Sequence, residues 1–309
     1  MTAALAPFDR HRRLLFSVAY QMLGSVADAE DVVQDAWLRW SAADRSGVTD
    51  ERAYLVRIVS RLALDRMDSA HARRESYVGP WLPEPLLTSS APVASGPPAP
   101  EPDEAAELGE QVSMALLVVL ETLSPAERAV FVLREVFGMS VAEVAGALGR
   151  SEAAVRQMAH RAREHVQARQ PRFDTDKRAQ REVTERFFAA VDGGDLDGLL
   201  EALAPDVVLI SDGGGRTRAA LRPITGADKV ARWLVAIARQ GASIPDLRIE
   251  VAEVNGWPAI VGWSGVEPFG SISLAVADGR IEQVLVVVNP DKLTGLVLPS
   301  REGDLGSRG

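Results

Sequence analysis

The sequence predicts a multidomain chain: two all-α helical domains followed by a C-terminal α+β cone. Three observations carry this. Apolar residues recur at helical spacing through residues 15–62 and again through 125–166. A stretch crowded with proline separates the two blocks. Beyond Lys177, amphipathic helices give way to a run of strand-like segments, the order expected of an α+β unit.

In the first block, Leu15, Val18, Ala19 and Met22 form one stripe before Gly24. Ala29, Val33, Ala36, Trp37 and Trp40 form a second, and Leu55, Ile58, Val59 and Leu62 a third. Trp37 and Trp40 fall on the buried spacing and are read as core rather than as stacking platforms. Asp28, Asp31 and Asp35 make an outward acidic row on the second helix. The third carries Arg57 and Arg61 one turn apart, with Arg66 beyond, and a polar turn spans residues 41–50.

From Ser76 to Glu110 helical periodicity collapses into proline, serine and alanine, which predicts an extended tether. Within it, Tyr77 to Pro83 places Tyr, Trp and Leu among small residues. An exposed Trp in a tether is expected to dock.

The second block opens at Ser124-Pro125-Ala126-Glu127, an N-cap, a first-turn proline and a capping glutamate, and stops at Gly138. Ser140 and Glu143 repeat the capping box, with Val141, Val144, Ala145 and Leu148 as one apolar stripe ending at Gly149. Ser151 caps the next helix. Its buried stripe is Val155, Met158, Ala159, Ala162 and Val166, and Arg156, His160 and Arg163 share another face. A short helix, a glycine turn and a helix with a basic face make the helix-turn-helix pattern. Six Arg stand against two Glu between residues 150 and 172, the sign a phosphate-lined groove requires.

In the last third, a helix carrying Val183, Phe187, Phe188 and Val191 ends at Gly193-Gly194, and a shorter one carries Leu196, Leu199, Leu200 and Leu203. Strands are expected over 207–212, 248–254, 259–263, 271–277 and 281–288, with a helix over 227–240 and a hairpin turn at Asp278-Gly279.

The 309 residues are 47% hydrophobic, enough for packed cores, and no apolar run approaches the ~18 residues of a membrane span. The first residues lack the basic-then-apolar layout of a signal peptide, and no membrane partner is expected. Without cysteine, disulfides, thiolate catalysis and cysteine zinc sites are excluded, and the expected compartment is the cytoplasm. The net charge of −9 is unevenly spread: residues 76–110 carry six acidic side chains and no basic one. Such a chain should bind free DNA poorly and need a larger partner to reach it.

An acidic helix with a tryptophan pair, a tether and a helix-turn-helix together resemble the extracytoplasmic-function (ECF) sigma factors of bacterial RNA polymerase. The segment 29–39, Ala-Glu-Asp-Val-Val-Gln-Asp-Ala-Trp-Leu-Arg, resembles the region-2 helix that grips the polymerase clamp. Residues 54–66 resemble the −10 helix that follows it, and 123–128 with 133–135 the start of region 4. Asp212-Gly213-Gly214-Gly215-Arg216, Trp81-Leu82-Pro83 and Asn289-Pro290-Asp291-Lys292-Leu293 resemble the subgroup that ends in a SnoaL-like extension. The chain departs from most members in two places: they have Arg at Ser60 and Asn at Arg61, and many show a Gly-Thr-Val-Lys-type run where the recognition helix here reads Ala153-Ala154-Val155-Arg156-Gln157-Met158. Promoter sequence is therefore not carried over.

The resemblance implies sigma region 2 over 1–75, a linker over 76–110, sigma region 4 over 111–172, a SnoaL-like regulatory domain over 173–295 and a flexible tail over 296–309. It implies core RNA polymerase and promoter DNA as partners, with regulation in cis and no separate anti-sigma protein required. Asp28, Asp31, Gln34, Asp35 and Leu38 would meet the polymerase clamp. Arg57, Ser60, Arg61 and Arg66 would meet the −10 strand, an unstacked base needing a pocket and a cationic track. Ser151, Arg156, Gln157, His160, Arg161 and Arg163 would meet the −35 groove. The three subgroup motifs would dock the C-terminal unit on the linker. A linker of ~35 residues extends over ~115 Å, ample for two elements ~58 Å apart on duplex DNA.

The SnoaL-like fold includes cyclases and isomerases, whose chemistry needs a positioned acid or base. None of the four histidines (His11, His71, His160, His165) lies in the last third, and Asp212 is the one candidate there. No catalytic residue, cofactor or metal is expected. The alternative is a helix-turn-helix regulator with a small-molecule-sensing or cyclase-like C-terminal domain.

Overall fold

The structure, a computed structural model, describes residues 2–88, 112–169, 176–241 and 243–296. Three long helices come first: α1 (Thr2–Leu23), α2 (Val26–Ala42) and α3 (Glu51–Glu75). Gly24, at φ 69°, turns α1 into α2, and the Ser25 hydroxyl accepts from Asp28 N at 3.2 Å to cap the second helix. The three expected stripes are buried at Leu15, Val18, Ala19, Met22, Ala29, Val33, Ala36, Trp40, Leu55 and Val59. A second buried stripe on α3 runs through Val56, Ser60, Ala63 and Met67 at i, i+4, i+7 and i+11.

The next helices are α4 (Met114–Leu120), α5 (Pro125–Phe131), α6 (Val141–Leu148) and α7 (Glu152–Arg169). Helix α5 runs into a π-helical turn over Val132–Val136 before Gly138 at φ 62°. Ser140 and Glu143 close a reciprocal capping box on α6, and Gly149 ends it in the left-handed conformation at φ 64°. The two helical units are not separate bodies. Val18, Ala36 and Val59 belong to the same apolar cluster as Val130, Leu133, Val144 and Val155.

The C-terminal unit comprises α8 (Lys177–Gly193), α9 (Leu196–Ala202), β1 (Leu203–Asp212), β2 (Ile224–Thr225), α10 (Ala227–Gly241), β3 (Leu247–Val254), β4 (Trp257–Ser264), β5 (Glu267–Ala277) and β6 (Arg280–Val287). The sheet order is β2-β1-β6-β5-β4-β3. Strands β3 to β6 form an antiparallel meander, while β1 pairs in parallel with β6, Leu209 opposite Val284. The two-residue β2 is too short to show a period in sequence.

Each face of the sheet is covered by a different part of the chain. Phe187, Leu199, Val230 and Leu234 of the helices pack on one, against Ile260, Leu274, Val284 and Val286. The other meets Leu82 and Leu87 of the linker and Met114 and Ala115 of α4, against Val261, Trp263, Leu285 and Val287. The remaining side of α4, Leu117 and Leu120, belongs to the helical core. A fully buried leucine contributes roughly 1.5–3 kcal/mol, so this seam joins all three units firmly.

Two expectations are corrected here. Beyond the Tyr77–Pro83 piece already read as docking, residues 84–88 are not extended tether either: Glu84, Leu86 and Leu87 are buried, Leu87 bridges Val254, and Thr88 N donates to the Glu253 carbonyl at 2.9 Å. The rest of the linker, 89–110, lies outside the described residues. Leu296 is not tail, being fully buried with its carbonyl accepting from Trp263 Nε1 at 3.1 Å; residues 297–309 lie outside the described residues. Both corrections have one cause, an apolar sheet face that needs covering. Among the described residues no helix is long and apolar enough to cross a membrane.

Candidate functional site

The three short motifs of the linker and the C-terminal unit converge on one buried carboxylate. Asp212, at the end of β1, is fully buried. Its Oδ1 accepts from Tyr77 OH at 2.7 Å, and its Oδ2 from Leu82 N at 2.8 Å and Lys292 Nζ at 2.7 Å. Lys292 also donates to the Leu82 carbonyl at 2.6 Å and lies 4.0 Å from the Trp81 ring centroid and 4.7 Å from that of Tyr77. Burial, with Asp212 beside it, raises the Tyr77 pKa, so the phenol stays a donor.

Around this node the remaining motif residues fit closely. Asn289 Nδ2 donates to Tyr77 OH at 2.7 Å, while its Oδ1 accepts from Asp291 N and caps the 3₁₀ turn over Pro290–Lys292. Gly214 is at φ 58°, and a Cβ there would stand 2.8 Å from Tyr77 OH. Gly213 is buried and Gly215 lies against Val78. Arg216 pairs with Asp291 at 3.1 Å on the exposed rim, where Pro290 is also exposed. Pro83 and Leu293 are buried beside Leu82.

A second junction, unannounced by the sequence motifs, ties all parts to the α1–α2 turn. Arg128 of α5 is buried; its Nε and a terminal nitrogen donate to the Gln21 carbonyl at 3.3 and 3.1 Å, and it pairs with Glu121. A cation there meets the negative end of α1. Burial pulls its pKa down to about 9. Glu84 caps α2 from the other side, Oε2 accepting from Val26 N at 2.8 Å, and Glu84 N donates to the Gly24 carbonyl at 2.9 Å. Tyr20 OH donates to the Glu84 carbonyl at 2.5 Å and accepts from Asn255 Nδ2 at 2.6 Å. Asn255, at φ 54°, forms with Gly256 the two-residue turn between β3 and β4. A Cβ at Gly24 would stand 3.1 Å from Trp81 Cη2 and 3.2 Å from Glu121 Oε1.

The basic face of α7 is bare. Arg156, His160, Arg161 and Arg163 have side chains 62%, 68%, 55% and 49% exposed, and Ser151 and Gln157 are exposed with them. Acidic neighbours stand beside these side chains: Glu152 at 2.6 Å from Arg156, Glu164 at 3.5 Å from His160, Glu127 at 3.8 Å from Arg161 and Glu135 at 3.8 Å from Arg163. Ser151 Oγ accepts from Ala154 N at 3.2 Å and caps the helix.

The residues expected on the polymerase and −10 faces divide. Asp31, Gln34, Asp35 and Leu38 are exposed on α2, Leu38 at 57%. Asp28 and Asp31 pair with Arg66 of α3, Asp28 at 2.9 Å. Arg57 stacks on Tyr54 at 4.9 Å, and Arg61 Nε donates to the Ala147 carbonyl at 2.9 Å. Ser60 is fully buried within the α3 core stripe in this conformation. Trp40 is core, and Trp37 packs edge-on against Phe8 at 5.2 Å.

Comparison with known proteins gives three family profiles along the chain: Sigma-70 region 2 over residues 8–74, Sigma-70 region 4 over 113–166, and the SnoaL-like domain over 184–270. The ECF RNA polymerase sigma factor SigJ of Mycobacterium tuberculosis is 40% identical over 315 residues, covering 99% of this chain and 98% of that protein. The probable ECF sigma factor SigI of the same species is 33% identical, covering 94% of this chain and 95% of its own length. The crystal structure of the M. tuberculosis SigJ superposes with a TM-score of 0.72 at 37% identity, over 94% of this chain and 98% of that one.

Proposed function

Because the chain belongs to the ECF RNA polymerase sigma factors that carry a C-terminal SnoaL-like domain, we propose that it directs promoter-specific initiation under control of its own C-terminal unit. Core RNA polymerase and promoter DNA are its partners. The exposed α2 row Asp31, Gln34, Asp35 and Leu38 meets the polymerase clamp, with Asp28 at its edge. Arg156, Gln157, His160 and Arg161 read the −35 groove, with Arg163 and Ser151 on phosphates. Arg57, Arg61 and Arg66 serve the −10 strand once α3 is free. The units run over 1–75, 111–172 and 173–296, the last two stitched together through α4.

One observation supports this reading above the others: the −35 face is bare while α6 lies on α3, so the two promoter elements cannot both be read in this arrangement. The Asp212–Lys292 node holds the linker, and the Arg128–Glu84 junction holds region 4 on region 2. A preference of a few kcal/mol between this state and an open one would set activity. Control of this kind lies within one chain and needs no separate anti-sigma protein.

Run-off transcription with core polymerase tests the proposal, comparing the full chain with chains stopped after Arg172 and after Leu293. The full chain should start RNA at defined promoters, and removal of the C-terminal unit should change both amount and promoter choice. Failure to associate with core enzyme or to start RNA across a broad promoter library would overturn it.

A further inference from the structure

Arg61 leaves the outward side of α3 one turn beyond Arg57 and ends on α6. Its Nε donates to the Ala147 carbonyl at 2.9 Å, a terminal nitrogen lies 3.5 Å from the Gly146 carbonyl, and a Cβ on Gly149 would stand 3.3 Å from that nitrogen. The Gly146 and Ala147 carbonyls belong to the last turn of α6, where a helix leaves acceptors unpaired and its dipole is negative. At the other end of α6, Glu143 is within electrostatic reach of Arg52 and Asp50, where α3 begins. Helix α6 therefore lies start to start along the first turns of α3, and one guanidinium pins its far end.

We infer that Arg61 is a positioning residue with two exclusive engagements: it caps α6 in the free chain, or it meets the promoter single strand, never both. The inference rests on the reading of α3 as the −10 helix. The Nε–H and one terminal N–H of the guanidinium, the edge that grips a phosphate or base bidentately, are turned to α6, and that helix lies along the same side of α3, so a strand that takes this edge has to displace it. Phosphate or base capture by Arg61 then requires α6 to lift from α3. The first helix of the helix-turn-helix thereby guards the −10 face, and α7 stays free to find the −35 element meanwhile.

The test is amide hydrogen exchange on the full-length chain. Gly149 N and Arg150 N both donate to the Ala145 carbonyl and report the end of α6. In Arg61→Gln their exchange should rise roughly tenfold or more, the worth of a hydrogen bond from a charged donor, while α8 to α10 stay unchanged. Arg61→Lys, which keeps the charge but not the fork, should fall between. Assembly of wild type with core polymerase and a −10 single-stranded oligonucleotide should raise the same amides from their free-chain level to that of the Gln variant, and that variant should hold the strand more weakly. Unchanged exchange in Arg61→Gln overturns the capping role. Protection that persists in wild type with the strand bound overturns the exclusivity. Loosening in the variant together with no strand capture by wild type would count against the −10 reading of α3 and not against the cap.

Discussion

Lys292 and Asp212 form an ion pair that is closed to water and shared with the linker, the ammonium lying 2.7 Å from Asp212 Oδ2 and 2.6 Å from the Leu82 carbonyl. Asp212→Ala would take the counter-ion from the buried Lys292 ammonium and leave Leu82 N and Tyr77 OH without this acceptor. Removing one member of such a pair costs about 3–5 kcal/mol. Urea unfolding of the full chain should register that loss, and proteolysis should become faster within 77–88. A variant that unfolds with the wild-type midpoint would show that this node does not hold the linker.

Glu84 makes the arrangement sensitive to pH. Burial pushes its carboxyl above the usual range, against the hydrogen bonds from Ser25 and Val26 that favour the anion. A carboxyl raised in the folded chain holds its proton more tightly there than when exposed. Its contribution is complete below the ordinary value and is lost as pH climbs through the raised one. Unfolding free energy should fall across that window and less so in Glu84→Gln. Identical pH profiles for the two chains would refute the assignment.

On α7, Arg156 is exposed and pairs with Glu152. Arg156→Ala should weaken holoenzyme binding to the −35 element by about 1–3 kcal/mol and relax preference at one base pair. A uniform loss over all promoter sequences would instead mark a phosphate contact. Fluorescence anisotropy on a panel of single-base variants separates the two.

On α2, Asp31 and Asp35 are exposed, and Asp31 is already paired with Arg66. Reversing both carboxylates to arginine should abolish association with core polymerase, because attraction across the interface becomes repulsion. Normal assembly of the double variant on a native gel would move the clamp-binding face elsewhere.

Local chemistry made much of this molecule legible. The Ser140–Glu143 capping box and the Gly149 stop are contained within ten residues, so the helix-turn-helix could be placed from pattern alone. The five longer strands announced themselves through apolar runs and a turn signal. The motif residues Leu82, Asp212 and Lys292 were each visible, and the structure brings them to one point.

What stayed hidden is long-range or small. Ser60 reads as polar, yet it sits between Val56 and Ala63 on a face where small side chains are buried. Tyr20, Glu84, Arg128 and Asn255 meet from four distant places in the chain, and no spacing rule connects them. Asn255-Gly256 did carry a signal, being the dipeptide that favours a two-residue hairpin turn. Residues 84–88 looked like more tether because proline and polar residues there conceal Leu86 and Leu87.

The helix Met114–Leu120 has consequences for how such a protein is inherited. Met114 and Ala115 are owed to the sheet, while Leu117 and Leu120 are owed to the helices, so seven residues serve two masters. Transplanting the C-terminal unit from one relative to another would leave this helix facing a stranger on one flank. Recombination between paralogues should therefore succeed where the crossover carries the helix along with the sheet it lines, and natural chimaeras should bear their joints upstream of Met114.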